Sequence, residues 1–73
     1  MIRIGILGCG GMAGGHAKRL AGMSGVALVA CCDLSTDITR AFVARNLPDL
    51  KPAPAIFDDP ARMYAEARLD AVV

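Results

Sequence analysis

Five glycines fall between Gly8 and Gly15, inside the stretch GILGCGGMAGGHAKRL (residues 5–20), where a short β-branched run gives way to a helical pattern. Glycine loses more conformational freedom on folding than any other residue and weakens a helix interior by roughly 0.5–1 kcal/mol relative to alanine. Concentrating that cost at a strand-to-helix junction makes sense where the backbone must turn tightly or let another group come very close. The spacing Gly8-x-Gly10-x-x-Ala13 gives each position a mechanical task. Gly8 permits the turn, Gly10 lets a pyrophosphate approach the main chain, and Ala13 is small enough for close helix–strand packing. Free N–H groups around Gly11 and Met12 would then face the phosphate oxygens at the positive end of the helix.

The rest of the chain supplies the context that such a turn requires. IRIGILG (residues 2–8) has the β-branched, glycine-bounded character of a buried strand. In the helix that follows, Ala13, Ala17, Leu20 and Ala21 share one side, and Ser24-Gly25 end it. VALVACC (26–32) is nearly continuously apolar, as suits a strand covered on both faces of a parallel sheet. A second helix starts at Ser35 or Thr36 as N-cap, with Asp37 in its first turn and Ile38, Ala41 and Phe42 as the expected inner stripe. AIF (55–57) is a short third strand, and Asp59-Pro60 reads as N-cap and first residue of a brief helix, PARMYAEA. LDAVV (69–73) is the fourth strand.

The order β-α-β-α-β-α-β predicts an α/β fold, a Rossmann-type doubly wound parallel sheet. Right-handed crossovers place the second and third strands on one side of the first and the fourth on the other. That order leaves a crevice between strands one and four, above the glycines. Because the fourth strand would be an exposed apolar edge, residues 1–73 are expected to be the first part of a longer polypeptide, a partial domain.

Composition narrows the partners. With 73 residues there is room for one small domain, 55% of it apolar. Eight Lys+Arg against seven Asp+Glu give a net charge of +1, and only three residues are aromatic. Neither nucleic acid nor an anionic membrane surface is expected from that balance. The longest uncharged run, residues 20–32, is too short to span a bilayer, and no signal sequence precedes it, so the chain reads as cytoplasmic. Cys9, Cys31 and Cys32 lack the spacing and the histidine partners of a zinc site and read as small buried hydrophobes. No metal site is expected, since Asp58-Asp59 beside Pro60 reads as a helix cap.

Asp33 ends the second strand twenty residues after Ala13. That is the separation expected of the carboxylate that accepts hydrogen bonds from an adenosine ribose; the alternative is a cap or N-terminal charge for the second helix. A carboxylate there also repels the 2′-phosphate of NADP. Two unit charges about 4 Å apart at an effective dielectric near 20 interact by roughly 4 kcal/mol, before screening and side-chain movement reduce the effect. NAD is therefore expected over NADP, although Ser35 and Arg40 leave NADP open. His16 lies one helical turn past the glycines, away from where a nicotinamide would lie, and is not read as catalytic. Lys18, Arg19, Arg45 and Arg68 read as solvated or helix C-terminal charges.

IRIGILGCGGMAGGHAKRL, VALVACCDLS and PAIFDDPARMYAEARLDAVV together resemble the N-terminal Rossmann domain of the Gfo/Idh/MocA family, which includes glucose-fructose oxidoreductase and inositol dehydrogenase. By position, Gly8, Gly10, Gly11, Met12 and Ala13 match that family's phosphate-binding turn and Asp33 its ribose-binding residue. Two positions depart from the family pattern: Ala13 stands for the more usual glycine, and Gly11 for a larger, often basic residue. The resemblance implies an NAD(P)-dependent oxidoreductase that moves a hydride between nicotinamide and a hydroxyl-bearing carbon of a sugar or cyclic polyol. It also implies a homo-oligomer, a second domain for substrate, and a proton-transferring lysine, often in a Glu-Lys-Pro segment, beyond the fourth strand. No such segment occurs in residues 1–73, so no catalytic residue is assigned. A non-catalytic NAD(H) sensor or assembly module is the alternative from another class. A flavin site would also suit Gly8-x-Gly10-x-x-Ala13-x-x-x-Ala17, whereas a methyltransferase loop would carry an acidic residue where Ile4 and Ile6 stand.

Overall fold

The computed structural model describes residues 1–73 and alternates strands with helices throughout: β1 (Ile2–Leu7), α1 (Gly11–Ala21), β2 (Val26–Cys32), α2 (Thr36–Asn46), β3 (Ala55–Phe57), α3 (Pro60–Glu66) and β4 (Ala71–Val72). The four strands are parallel in the order β3-β2-β1-β4, as the sequence predicts from right-handed crossovers. β1 and β2 pair along their whole lengths, with a register shift between Ile4 and Gly5. β4 joins β1 through Ile4–Ala71 and Gly5–Val72, reinforced by Asp70 N donating to Arg3 O at 2.7 Å.

Each sheet face carries its own apolar layer, the arrangement of a Rossmann-type α/β fold. On one face Ile4, Ile6, Leu28 and Cys31 pack with Ala17 of α1 and with Phe42 and Leu47 at α2. On the other, Ala30 and Cys32 meet Met63 and Ala67 of α3, with Leu69 and Phe57 at the margin. Ala30 and Cys32 face one way and Cys31 the other, as successive side chains of a strand do, while the irregularity at Val29, which the pairing with β1 skips, puts Leu28 on the Cys31 side. All three cysteines are buried and unpaired to one another, as expected of small hydrophobes. Burial pushes the Cys31 thiol up to about 12, so it stays protonated and unreactive.

The helix ends follow local chemistry. Ser35 caps α2 by accepting from Ile38 N, and Asp59 caps α3 by accepting from Ala61 N at 3.0 Å with Pro60 behind it. At the other end of α3, the Arg3 guanidinium reaches over from β1 and donates to the carbonyls of Ala67 (2.8 Å) and Arg68 (3.0 Å). A cation at a helix C-terminus satisfies carbonyls that have no partner within the helix.

The inner face of α2 differs from the expected stripe of Ile38, Ala41 and Phe42. Phe42 is buried, but Ile38 and Ala41 are exposed; Thr39, fully buried, and the half-buried Val43 face inward instead. The helix is rotated by about one position, and Thr39 tolerates burial because its hydroxyl donates to Ser35 O at 3.0 Å. No helix is long and apolar enough to cross a membrane.

Met63 is the largest side chain holding α3 to the sheet and is wholly buried. Met63→Ala is expected to lower unfolding stability by about 2–5 kcal/mol, measured by urea denaturation followed by circular dichroism.

Candidate functional site

The strand-to-helix turn is built one bond at a time. Gly8 N still donates to Cys32 O at 2.9 Å, so the β1–β2 ladder runs to its end before the chain leaves the sheet. Gly8 then takes φ +89, a left-handed conformation that L side chains rarely adopt. The reversal brings Cys9 back over the end of β2. There its N–H donates to Asp33 Oδ2 at 2.8 Å, and its thiol lies 3.6 Å from Cys32 O as donor. Gly10 is extended (φ −78, ψ −175), and α1 begins at Gly11.

Three features of this turn bear on ligand chemistry. No side chain caps α1, and the N–H groups of Gly10, Gly11 and Met12 donate to no protein acceptor. A Cβ on Gly10 or Gly11 would have no atom within 4 Å, so neither packing nor, at Gly10, the backbone angles account for glycine there. The first turn of α1 contains no acidic residue to compete for those amides. Together they form an open cradle of donors at the positive end of a helix, chemistry that fits an anion with several acceptor oxygens.

Asp33 stands beside this cradle. Its Oδ1 accepts from Leu34 N at 2.6 Å and its Oδ2 from Cys9 N. Those two backbone donors hold the carboxyl below the usual carboxylate range, Cys9 contributing more than Leu34. Ser35, not Asp33, caps α2, so the helix-cap explanation of Asp33 does not hold. Each carboxylate oxygen has two acceptor sites, so both keep capacity for a further donor. The Cys9 thiol is pushed up, first by burial and next by the nearby Asp33 charge, which leaves it a hydrogen-bond donor rather than a nucleophile.

The remaining residues singled out in the sequence fall as follows. Met12 is among the most exposed side chains of the molecule, and Ala13 is half-buried against the α1–α2 layer. The tightest helix contact is made one residue later: a Cβ on Gly14 would meet Asn46 Oδ1 at 2.7 Å, which is how α1 and α2 come together. A glycine inside an otherwise helical stretch was the available signal for it. His16, Lys18, Arg19, Arg40 and Arg68 are exposed. Asp59 is occupied as a cap.

A cleft of about 350 Å³ opens on the α2 side, between Gly10, Gly11 and Gly14 on one wall and Ile38, Ala41 and Arg45 on the other. The rotation of α2 that exposes Ile38 and Ala41 makes them cleft wall rather than core.

No protein-family model matches the chain, and no curated protein does. Among solved structures, it is similar to the crystal structure of myo-inositol dehydrogenase from Lactobacillus casei in complex with NAD(H) and myo-inositol, with a TM-score of 0.80 and 25% sequence identity. The likeness covers 99% of this chain and 20% of that one, so residues 1–73 span about a fifth of the enzyme's length. The resemblance to Gfo/Idh/MocA oxidoreductases read from the sequence thus meets a structural counterpart in an inositol dehydrogenase.

Gly8→Ala is expected to cost about 1–2 kcal/mol of stability because of its left-handed backbone alone, while Gly10→Ala should leave stability within about 0.5 kcal/mol; urea melts of the two variants test this contrast. The acid limb gives a second test. A carboxylate whose folded pKa is depressed contributes stability that is fully present above its unfolded value of about 3.9 and lost as pH falls through the lower folded value. The Tm of wild type should therefore exceed that of Asp33→Asn at pH 5–7, with the gap closing below about pH 4.

Proposed function

We propose that residues 1–73 form the NAD-binding portion, at the N-terminus, of a longer oxidoreductase whose chemistry is hydride exchange between nicotinamide and a hydroxyl-bearing carbon of a sugar or cyclic polyol. The observation that carries this reading is Gly10. Its backbone angles suit any residue and its missing side chain would touch nothing in the protein, so the absence of a Cβ is explained by a group that approaches from outside. The likeness to an enzyme bound to NAD(H) and myo-inositol supports both the cofactor class and the polyol class.

In this reading the N–H groups of Gly10, Gly11 and Met12 bind the diphosphate of the dinucleotide, each charge-assisted bond contributing on the order of 1.5–3 kcal/mol. Gly8 provides the reversal, and Ala13 and Gly14 keep the helix close enough to the sheet and to α2 for those amides to stand in the right place. Asp33 accepts the hydroxyls of the adenosine ribose with its remaining lone pairs. The same charge disfavours a 2′-phosphate, which gives the preference for NAD over NADP. Bound nicotinamide supplies the hydride acceptor or donor. Substrate contacts, oligomer surface and the proton-transferring lysine belong to other parts of the protein, and a cytoplasmic setting suits a nicotinamide enzyme of this kind.

Titration with NADH and NADPH, followed by nicotinamide fluorescence, tests the reading on the protein containing these residues. NADH is expected to bind more tightly than NADPH by at least about tenfold, and Asp33→Ser should shrink that ratio. Equal affinities in wild type, or an unchanged ratio in the variant, would remove Asp33 from the role given to it. Gly10→Val should weaken NADH binding by about tenfold or more while leaving the urea midpoint near that of wild type; full retention of binding would show that nothing approaches the backbone there.

A further inference from the structure

The carboxylate proposed to hold the ribose is already hydrogen-bonded to the turn proposed to hold the diphosphate. Asp33 Oδ2 accepts from Cys9 N at 2.8 Å across a separation of 24 residues, and Oδ1 accepts from Leu34 N at 2.6 Å. Cys9 immediately precedes Gly10, the first of the three amides without a protein acceptor. Apart from Asp33, the turn is held to β2 by the Gly8 N to Cys32 O bond and by the weaker contact of the Cys9 thiol with the same carbonyl. Both of those act on one oxygen and leave the peptide plane between Gly8 and Cys9 to be set by whatever its N–H meets.

We infer that Asp33 is a positioning residue for the phosphate turn as well as a ribose ligand: by accepting the Cys9 N–H it fixes the orientation of the Gly8–Cys9 peptide and so aims the amides that follow. The inference rests on the dinucleotide reading above for the identity of the anion, but not for the existence of the clamp. Its consequence runs against simple electrostatics. A negative charge beside an anion site repels the anion, so deleting it should strengthen the binding of a phosphate that has no ribose attached, by about twofold or more. If Asp33 aims the donors, deleting it weakens that same binding, because donors gain their strength at a site from being held in place beforehand. The two roles of Asp33 thus predict opposite signs for one measurement.

Inorganic pyrophosphate is the probe, since it lacks the ribose that Asp33 would otherwise contact. Wild type, Asp33→Ala and Asp33→Asn are titrated while the backbone amides of residues 8–13 are followed by NMR, with amide hydrogen exchange recorded on the free proteins. In wild type the Cys9 amide should exchange slowly, and pyrophosphate should shift Gly10, Gly11 and Met12. In Asp33→Ala the Cys9 amide should exchange at least about tenfold faster and pyrophosphate should bind at least about tenfold more weakly. Asp33→Asn, whose single side-chain oxygen can accept only part of this pattern, should fall between and guards against a variant that does not fold. Unchanged Cys9 exchange, or pyrophosphate binding that is equal or tighter in Asp33→Ala, overturns the inference. A wild type whose Gly10–Met12 amides ignore pyrophosphate overturns the dinucleotide reading instead, and the exchange measurement still decides whether the clamp exists.

Discussion

The bond from Cys9 N to the Asp33 carboxylate is where the two ends of the structure's working edge are joined. It links the middle of the β1–α1 reversal to the first residue after β2, over a separation that no local rule bridges. Everything at the carboxyl edge of the sheet takes its position relative to that link. The Gly8 reversal delivers Cys9 to it, the helix begins two residues beyond it, and the Ser35 cap begins α2 two residues past the acid. An ionised carboxylate suits the place because it can accept at both oxygens at once, and two backbone donors in turn keep it ionised.

Beneath that edge the fold economises on side-chain size. Ala17, Ala30, Cys31 and Cys32 are fully buried or nearly so, and Gly14 lets α1 lie against Asn46 of α2. Small residues at contact points bring helices and sheet close together, which compensates in packing for the limited apolar surface that a chain of this length can bury. The two layers are unequal. The α1–α2 side holds eight buried residues, and the α3 side four centred on Met63. Arg3 makes up part of the difference by fastening the C-terminus of α3 to β1 through two carbonyls.

Much of this is legible in the sequence. The seven elements, the strand order, the Asp59-Pro60 cap and the buried cysteines follow from alternation, apolar runs, capping chemistry and the handedness of crossovers. The face of α2 did not follow. Ile38, Ala41 and Phe42 satisfy helical spacing as well as Thr39, Phe42 and Val43 do, and apolar character favours the first set. What permits the second is that the buried hydroxyl of Thr39 finds Ser35 O at the N-cap of its own helix and so enters the core without an unsatisfied group. The displaced Ile38 and Ala41 then wall a cleft that periodicity could not have placed.

The sequence by itself determined that a tight, glycine-lined reversal separates the first strand from the first helix, and that an acid closes the second strand. Those facts depend on residue type and spacing along the chain, which are local. Only the tertiary structure decided that the acid grips the reversal, that Gly10 has no internal reason to be glycine, and that Ile38 and Ala41 wall a cleft beside the turn. Each of those depends on distances between segments remote in sequence, and such distances exist only once the sheet has brought the ends of its strands side by side.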